Sequence, residues 1–348
     1  MRIAFLINSY ATEKAGYTTT RLAHAAHGMG HDVRYVTVED FACDPDEEVR
    51  VRTRTVPGSS YKTTKSFHKA LVGDDAEVER LPVEELDVLL LRNDPADDAK
   101  ERPWAQSTGI IFGQMAAQRG VIVLNDPNGL AQAVNKVYFQ RFPESVRPKT
   151  LVTRHVADVR AFIKDHGGDV VIKPFQGSGG ESVFVVREDD RANLNQIIDA
   201  VCRSGYMVVQ EYLPDAAGHD TRLFLVNGKP LVVDGEYAAF RRIGAADDLR
   251  SNVSAGGTIE KATIGETELR IAEMVRPQLR QDGMFMVGLD IAGEHLIEVN
   301  VFSPGGLGSS QNTTGVNFGP AVIAAIERKV EARQRYRQHF ANVTLATL

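Results

Sequence analysis

An α/β fold that gives way to an α+β, antiparallel C-terminal part is what the sequence predicts, on three observations. With 348 residues the chain exceeds one typical domain, so two or three compact units around a sizeable interior are expected. Its first third alternates short apolar runs with helix-period stretches, the pattern of an open α/β sheet. From residue 170 onward the apolar runs shorten and turn residues separate them, the pattern of antiparallel hairpins.

The elements follow in chain order. "RIAFLIN" (2–8) reads as a strand and "TTTRLAHAAHGMGH" (18–31) as a helix with Leu22, Ala25, Ala26 and Met29 on one face, closed near Gly28 or Gly30. "DVRYVTV" (32–38) completes a βαβ opening. "LDVLLLRND" (86–94) is a buried strand with a polar end, "IIFGQMAAQRG" (110–120) a helix, and "VIVLNDP" (121–127) a strand closed by Asp126-Pro127, so an α/β unit spans 1–125. Ligands in such sheets sit beyond the carboxyl ends of the strands, which marks Arg92, Asn93 and Asp94. "GLAQAVNKVYFQRF" (129–142) and "VADVRAFIKDH" (156–166) read as helical, parted by Pro143 and Pro148. Then come "VVIKPF", "SVFVV", "YMVVQEYL", "TRLFLVNGKPLVVDGEY" and "MFMVGLDIAGEHLIEVNVF", one antiparallel sheet with hairpins at Asn227-Gly228 and Ala292-Gly293, covered by helices near 190–203 and 265–281.

Composition excludes several classes. Apolar residues make up 43% and charged residues 25%, an ordinary globular balance. A net charge of -6 without a Lys/Arg block argues against nucleic-acid or anionic-membrane partners. Cys43 and Cys202 are too far apart for a metal-ligand motif or a disulfide framework, consistent with a reducing cytoplasm. "MRIAFLIN" is too short for a signal h-region, and no apolar run reaches membrane-spanning length; a cytoplasmic location is expected.

Two patterns carry chemistry. In "VVIKPFQGSGGESVFVV" (170–186) a charge, Lys173, interrupts an apolar strand and is followed by Gly177, Ser178, Gly179 and Gly180, then by a second strand. Neither the Walker A nor the dinucleotide spacing is present. Strand, glycine flap, strand is the arrangement of a cover laid over phosphates, although alone it is also an ordinary tight turn, and no kinase HRD or DFG motif accompanies it. In "GLDIAGEHLIEVN" (288–300), Asp290 lies on one strand of a hairpin while Glu298 and Asn300, two apart, share one face of the other. Such hard oxygens suit Mg²⁺, which takes few protein ligands and completes its shell with phosphates. "QEYLP" (210–214) would present backbone to an adenine edge, and Lys136 would add a cation; each is unremarkable by itself. The histidines show no ligand spacing.

Taken together, "LLLRNDPADD", "VLNDP", "NKV", "VIKPFQGSGGESVF", "QEYLP", "DTRLFLVNGKPL", "RSNVSAGGT" and "GLDIAGEHLIEVNVFSP" resemble the ATP-grasp superfamily, and within it the prokaryotic glutathione synthetase branch, in family order over residues 85–304. The resemblance implies an N-terminal α/β domain (1–125), a central lid domain (126–205) and a C-terminal antiparallel-sheet domain (206–340), with ATP held between the last two and a dimeric or tetrameric homo-oligomer. It implies an ATP-dependent carboxylate–amine ligase that works through an acyl phosphate on small-molecule substrates. Lys136, Lys173 and the segment Gly177, Ser178, Gly179, Gly180 would meet the phosphates, and Gln210, Glu211, Tyr212 and Leu213 the adenine. Asp290, Glu298 and Asn300 would hold one or two Mg²⁺ ions, with Mn²⁺ as a substitute. Arg222 would lie near the γ-phosphate, and Arg250 and Asn252 would act from a closing loop. Arg92, Asp94, Ser303, Pro304 and Gly305 would face the substrates. One departure stands out. Where the family continues past "NVFSP" with a threonine and an Arg-Glu pair, near its amine substrate, this chain reads the neutral "GGLGSSQNTTGVNFG"; the resemblance implies γ-glutamylcysteine and glycine as substrates, with a different carboxylate and another amino acid or a peptide terminus as the alternative. Asp126 also replaces a residue that is usually basic.

Overall fold

The structure, a computed structural model, describes residues 1–58, 60–166, 168–176, 182–187, 193–203, 205–216, 218–244, 257–336 and 340–348. The first sheet has seven strands: β1 (Arg2–Ile7), β2 (Asp32–Thr37), β3 (Phe41–Cys43), β4 (Val49–Thr55), β5 (Glu77–Pro82), β6 (Val88–Leu91) and β7 (Ile122–Leu124). Strands β2, β1, β6 and β7 are parallel neighbours in that order, and β4 adds antiparallel beside β2, carrying β3 and β5. Its helices are α1 (Thr18–Gly28), α2 (Thr64–Val72), α3 (Pro95–Asp98) and α4 (Thr108–Gln118). Asp94 starts α3 by accepting from Ala96 N at 2.9 Å, with Pro95 pre-set for the first helical position.

The stretch 129–142, expected to be helical throughout, is broken. The helix α5 (Pro127–Gln132) stops at Ala133, and Asn135 caps a separate 3-10 turn at Lys136–Arg141 through Val137 N, 3.0 Å away. An asparagine whose side chain satisfies the backbone favours such a restart over a continuous helix. Asp126 serves the same purpose at the start of α5, accepting from Asn128 N and Gly129 N, and this accounts for an acid there.

The single antiparallel sheet expected from residue 170 onward is two sheets, the first of which also takes in residues 150–153. One has four strands in the order β10 (Phe184–Val186), β9 (Val170–Pro174), β11 (Met207–Glu211), β8 (Thr150–Thr153), covered by α6 (Val156–His166) and α7 (Leu194–Cys202). Strand β11, which the expected division at 205/206 assigns to the C-terminal unit, is hydrogen-bonded inside this sheet. The other has six strands, β17 (Thr258–Glu260), β16 (Ala239–Ile243), β12 (His219–Val226), β18 (Met286–Ala292) and β19 (His295–Asn300) in order, with β13 (Lys229–Pro230) paired to β12. A small ribbon of β14 (Val232–Val233) and β15 (Glu236–Tyr237) stands apart, and α8 (Glu266–Gln281) covers the sheet. The β12–β13 turn is Asn227-Gly228, both at positive φ, the turn chemistry a two-residue hairpin needs.

Burial sorts these parts differently from the linear order. Leu6, Leu89 and Leu91 of the first sheet share one core with Leu223, Val287 and Leu289 of the six-stranded sheet. The four-stranded sheet has a separate core of Val159, Ile163, Ile172, Ile198, Val201, Met207 and Val209 among others. After α9 (Leu307–Thr314), the chain returns to the N-terminal unit: α10 (Gly319–Arg335) lays Val322, Ile323 and Ile326 into the core that holds Leu22, Ala23 and Ala26 of α1, and α11 (Asn342–Ala346) packs near β7. Among the described residues no helix is long and apolar enough to cross a membrane.

Candidate active site

Strand alternation builds one wall of a cavity of about 590 Å³. In the β9–β11 pair, Lys173 lies opposite Val208, and these two with Gln210 line the cavity. Their neighbours Ile172, Met207 and Val209 point the other way into the small core. The opposite wall is the β18–β19 hairpin, with Glu298 and Asn300, continued by Phe302 and Ser303. Asp94, at the start of α3, and the 3-10 turn carrying Lys136 close the sides. Lys136 is tied to the lysine strand by its backbone, since its N–H donates to Phe175 O at 3.0 Å.

Among the described residues, six charged side chains line this space: Asp94, Asp97, Lys100, Lys136, Lys173 and Glu298. Burial pulls the Lys173 ammonium down to about 8; Glu298 pushes it back up, and Lys136 adds a further lowering. Burial likewise lowers Lys136, against the opposing pull of Glu298 and Asp94. Burial raises the Asp94 carboxyl; the hydrogen bond from Ala96 lowers it, and the charges of Asp97 and Glu298 raise it further. The Glu298 carboxylate is exposed to the cavity and makes no hydrogen bond or ion pair with another described residue.

Behind Glu298 lies a buried chain of charges. Asp290, its register partner, is 0% exposed and accepts from Arg222 Nε and Nη2, both at 2.6 Å. Arg242 Nη2 reaches the same carboxylate at 2.8 Å and also pairs with Asp220. Burial drives the Asp290 carboxyl up, but the two guanidiniums outweigh it and hold it below the usual carboxylate range. Arg222 Nη1 then donates to Gly305 O at 3.2 Å, and buried Arg92 donates to Pro304 O at 3.1 Å and Thr19 Oγ1 at 3.3 Å.

The structure thus brings together Lys136, Lys173, Gln210, Asp94, Ser303, Glu298 and Asn300 around one space. Arg92, Arg222, Asp290, Pro304 and Gly305 stand behind its wall, bonded to one another rather than lining it. Glu211 accepts from Lys149 N at 2.8 Å at the end of β11, and neither Tyr212 nor Leu213 lines the cavity. Gly177, Ser178, Gly179, Gly180, Arg250 and Asn252 lie outside the described residues. The lysine strand β9 and the acidic hairpin, read as parts of one sheet, belong to two sheets that face each other across the cavity. Sequence reasoning missed Arg242; its signal was a cross-strand charge pair, since Arg242 lies opposite Asp220 in the β12–β16 register. It also missed Tyr138 and Phe139, which give the cavity aromatic walls.

The donor set fits a divalent ion in a restricted way. Among the described residues no group of three or more His, Cys, Asp or Glu converges. An unpaired Glu298 carboxylate beside the Asn300 amide nonetheless offers hard oxygens that a phosphate-bound cation would complete. Asp290 is at hand, but its oxygens are taken by guanidiniums.

Comparisons with known proteins agree with this arrangement. Residues 1–131 match the family model for the prokaryotic glutathione synthetase N-terminal domain, and residues 135–315 that for the prokaryotic glutathione synthetase ATP-grasp domain. The chain is 31% identical to a glutathione synthetase of Synechococcus elongatus, over 95% of this chain and 99% of that one. It is 35% identical to one of Gloeobacter violaceus, over 88% and 90% respectively. Among solved structures, D-cycloserine synthetase DcsG superposes with a TM-score of 0.61 at 14% identity, covering 94% of this chain and 99% of that chain. The ATP-grasp ligase PsnB complexed with a minimal precursor gives 0.57 at 18% identity, covering 96% and 99%. With the two family models together matching residues 1–131 and 135–315, and two lysines facing an acid across the space between the two later sheets, this chain has the ATP-grasp fold and belongs to the prokaryotic glutathione synthetase family.

Proposed function

We propose that the protein joins γ-glutamylcysteine to glycine with ATP, giving glutathione, ADP and phosphate. The observation that carries this reading is the pair Lys136 and Lys173 facing Glu298 and Asn300 across a single cavity. The donor carboxylate attacks the γ-phosphorus of ATP, the bond to the β-bridging oxygen breaks, and an acyl phosphate and ADP result. The acceptor's neutral amine then attacks the acyl carbon and phosphate leaves with the C–O bonding pair, so no Ser or Cys nucleophile is needed. Lys173 and Lys136 neutralise phosphate charge inside a partly desolvated site, where such contacts count for more than in water. Gln210, already fixed by its 2.9 Å donation to Thr150 Oγ1, and the backbone beyond it border the adenine. Glu298 and Asn300 would hold Mg²⁺, with Asp290 joining once an arginine lets go; the ion would neutralise phosphate oxygens and orient them. Asp94 and Ser303, which line the cavity, would face the substrates, and Arg92, bonded to Pro304 O, would support that wall from behind.

The test is phosphate release and product mass from purified protein with MgATP, γ-glutamylcysteine and glycine, beside a panel of other acids and amines. No turnover with the first set, and turnover with another, replaces glutathione by a different amide product. Glu298→Gln is expected to abolish turnover while the melting temperature stays within about 2 °C, because an exposed, unpaired side chain contributes little to stability. Full activity in that variant overturns the site.

A further inference from the structure

The helix α9, "LGSSQNTT", carries no charge of its own. A charge reaches it from elsewhere: Arg21 of α1, 287 positions upstream of Gly308, lies flat against it. A Cβ built on Gly308 would fall 2.4 Å from Arg21 Nε and 2.8 Å from Cζ, so only a glycine there leaves room for the guanidinium. Arg21 Nη1 donates to Gln311 Oε1 at 2.9 Å, one turn along α9, and Nε donates to Gly16 O at 3.3 Å. Both partners are neutral, and among the described residues no carboxylate pairs with this arginine. Burial with no opposing charge pulls its pKa down, which marks a cation without a counter-ion.

The seat of the guanidinium is linked along the chain to the cavity wall, which Arg21 itself does not line. Ser303 lines the cavity, Pro304 O and Gly305 O are held by Arg92 and Arg222, and Leu307 N donates to Thr18 Oγ1 at 3.2 Å. Gly308 lies five positions beyond Ser303, a span of at most about 17 Å. An acceptor amino acid must place its amine at the acyl carbon and its carboxylate beyond it. Nη2 of this guanidinium makes no hydrogen bond among the described residues, and with the second N–H of Nη1 it leaves donors for that carboxylate.

Resting on the ligase reading above, we propose that Arg21, seated on Gly308 and oriented by Gln311, binds the carboxylate of the acceptor, and so selects amines that carry a free carboxylate. The neutral 305–319 segment then lacks no cation, because α1 supplies it.

The experiment compares glycine with glycinamide, which keeps the amine and lacks the carboxylate, in the intact enzyme with MgATP and γ-glutamylcysteine. In Arg21→Gln, the ratio of kcat/KM for glycine over glycinamide is expected to fall by about 10–100-fold, the loss of one charged hydrogen-bonded contact, mainly through KM for glycine. Because it is a ratio, general damage to the enzyme cancels. Arg21→Lys, which keeps the charge and loses the fork, should fall between, and serves if the first variant does not fold. Gly308→Ala, which displaces the guanidinium, should lower the ratio as Arg21→Gln does. A ratio within twofold of the unsubstituted enzyme in all variants overturns the assignment. Absence of any glycine-dependent turnover before substitution overturns the ligase reading instead, and this one with it.

Discussion

Lys173 occupies the fourth position of a five-residue strand whose other members are apolar, and its ammonium is drawn down to about 8 by burial. The protonated form is therefore complete well below pH 8 and fades above it. Nucleotide phosphates favour the cation, so they raise this pKa on binding, and ATP affinity should be flat from pH 6.5 to 7.5 and weaken as pH passes 8. Titration calorimetry across that range reads it. Lys173→Met should weaken binding at pH 7 by about tenfold or more and flatten the dependence; an unchanged pH profile in that variant shifts the role to Lys136. Lys173 was legible because a charge inside a period-2 apolar run asks for a reason. Asp290 was legible as an acid on the right hairpin but not as the partner of two arginines, since side-chain direction and distance between strands 68 positions apart are tertiary facts. Arg21 was not legible at all: it reads as one solvent-facing position on an amphipathic helix, and only the approach of Gly308 gives it meaning.

At the scale of elements, the four-stranded sheet with α6 and α7 is insulated by its own core. Ile172 sits there at 0% exposure, with its neighbour Lys173 turned to the cavity. Ile172→Ala should cost about 2–5 kcal/mol, and because the core is separate the loss should fall on this unit first. Hydrogen exchange should speed up in β9, β10 and β11 while β1 and β6 keep their protection, and nucleotide affinity should drop; uniform loss across all sheets would argue against a separate unit. The strands of this unit and of the β18–β19 hairpin were readable from alternation. Residues 41–82 were not read, because β5, "EVERLP", is mostly exposed and charge-rich and shows no apolar run. The break at Asn135 was missed because the apolar spacing on either side of it keeps helical phase, while capping acts through one side-chain oxygen.

Over the whole molecule the largest departure from the linear reading is the return of α10 and α11 to the first sheet, which no local pattern announces. This return buries Lys329 completely. Its ammonium donates to Asn227 Oδ1 at 2.7 Å and Leu348 O at 3.1 Å and lies 5.0 Å from the Phe285 ring centroid. Burial lowers its pKa to about 7, and Arg328 adds to the effect. An unfolded lysine keeps its proton to about 10.4, so between pH 7 and 10 the unfolded state binds more protons, and this group makes stability rise with pH. Denaturant midpoints should climb over that range, with a slope of at most about 1.4 kcal/mol per pH unit from this residue, and Lys329→Met should remove that component.

The seating of Val322, Ile323 and Ile326 against Leu22, Ala23 and Ala26 also sets a timetable for synthesis. About 300 residues separate the two apolar stripes, which at 5–20 residues per second is roughly 15–60 s on the ribosome. Throughout that interval the nascent first helix has a naked greasy flank, so this chain should engage holding chaperones early and release them only once its closing helices have been made.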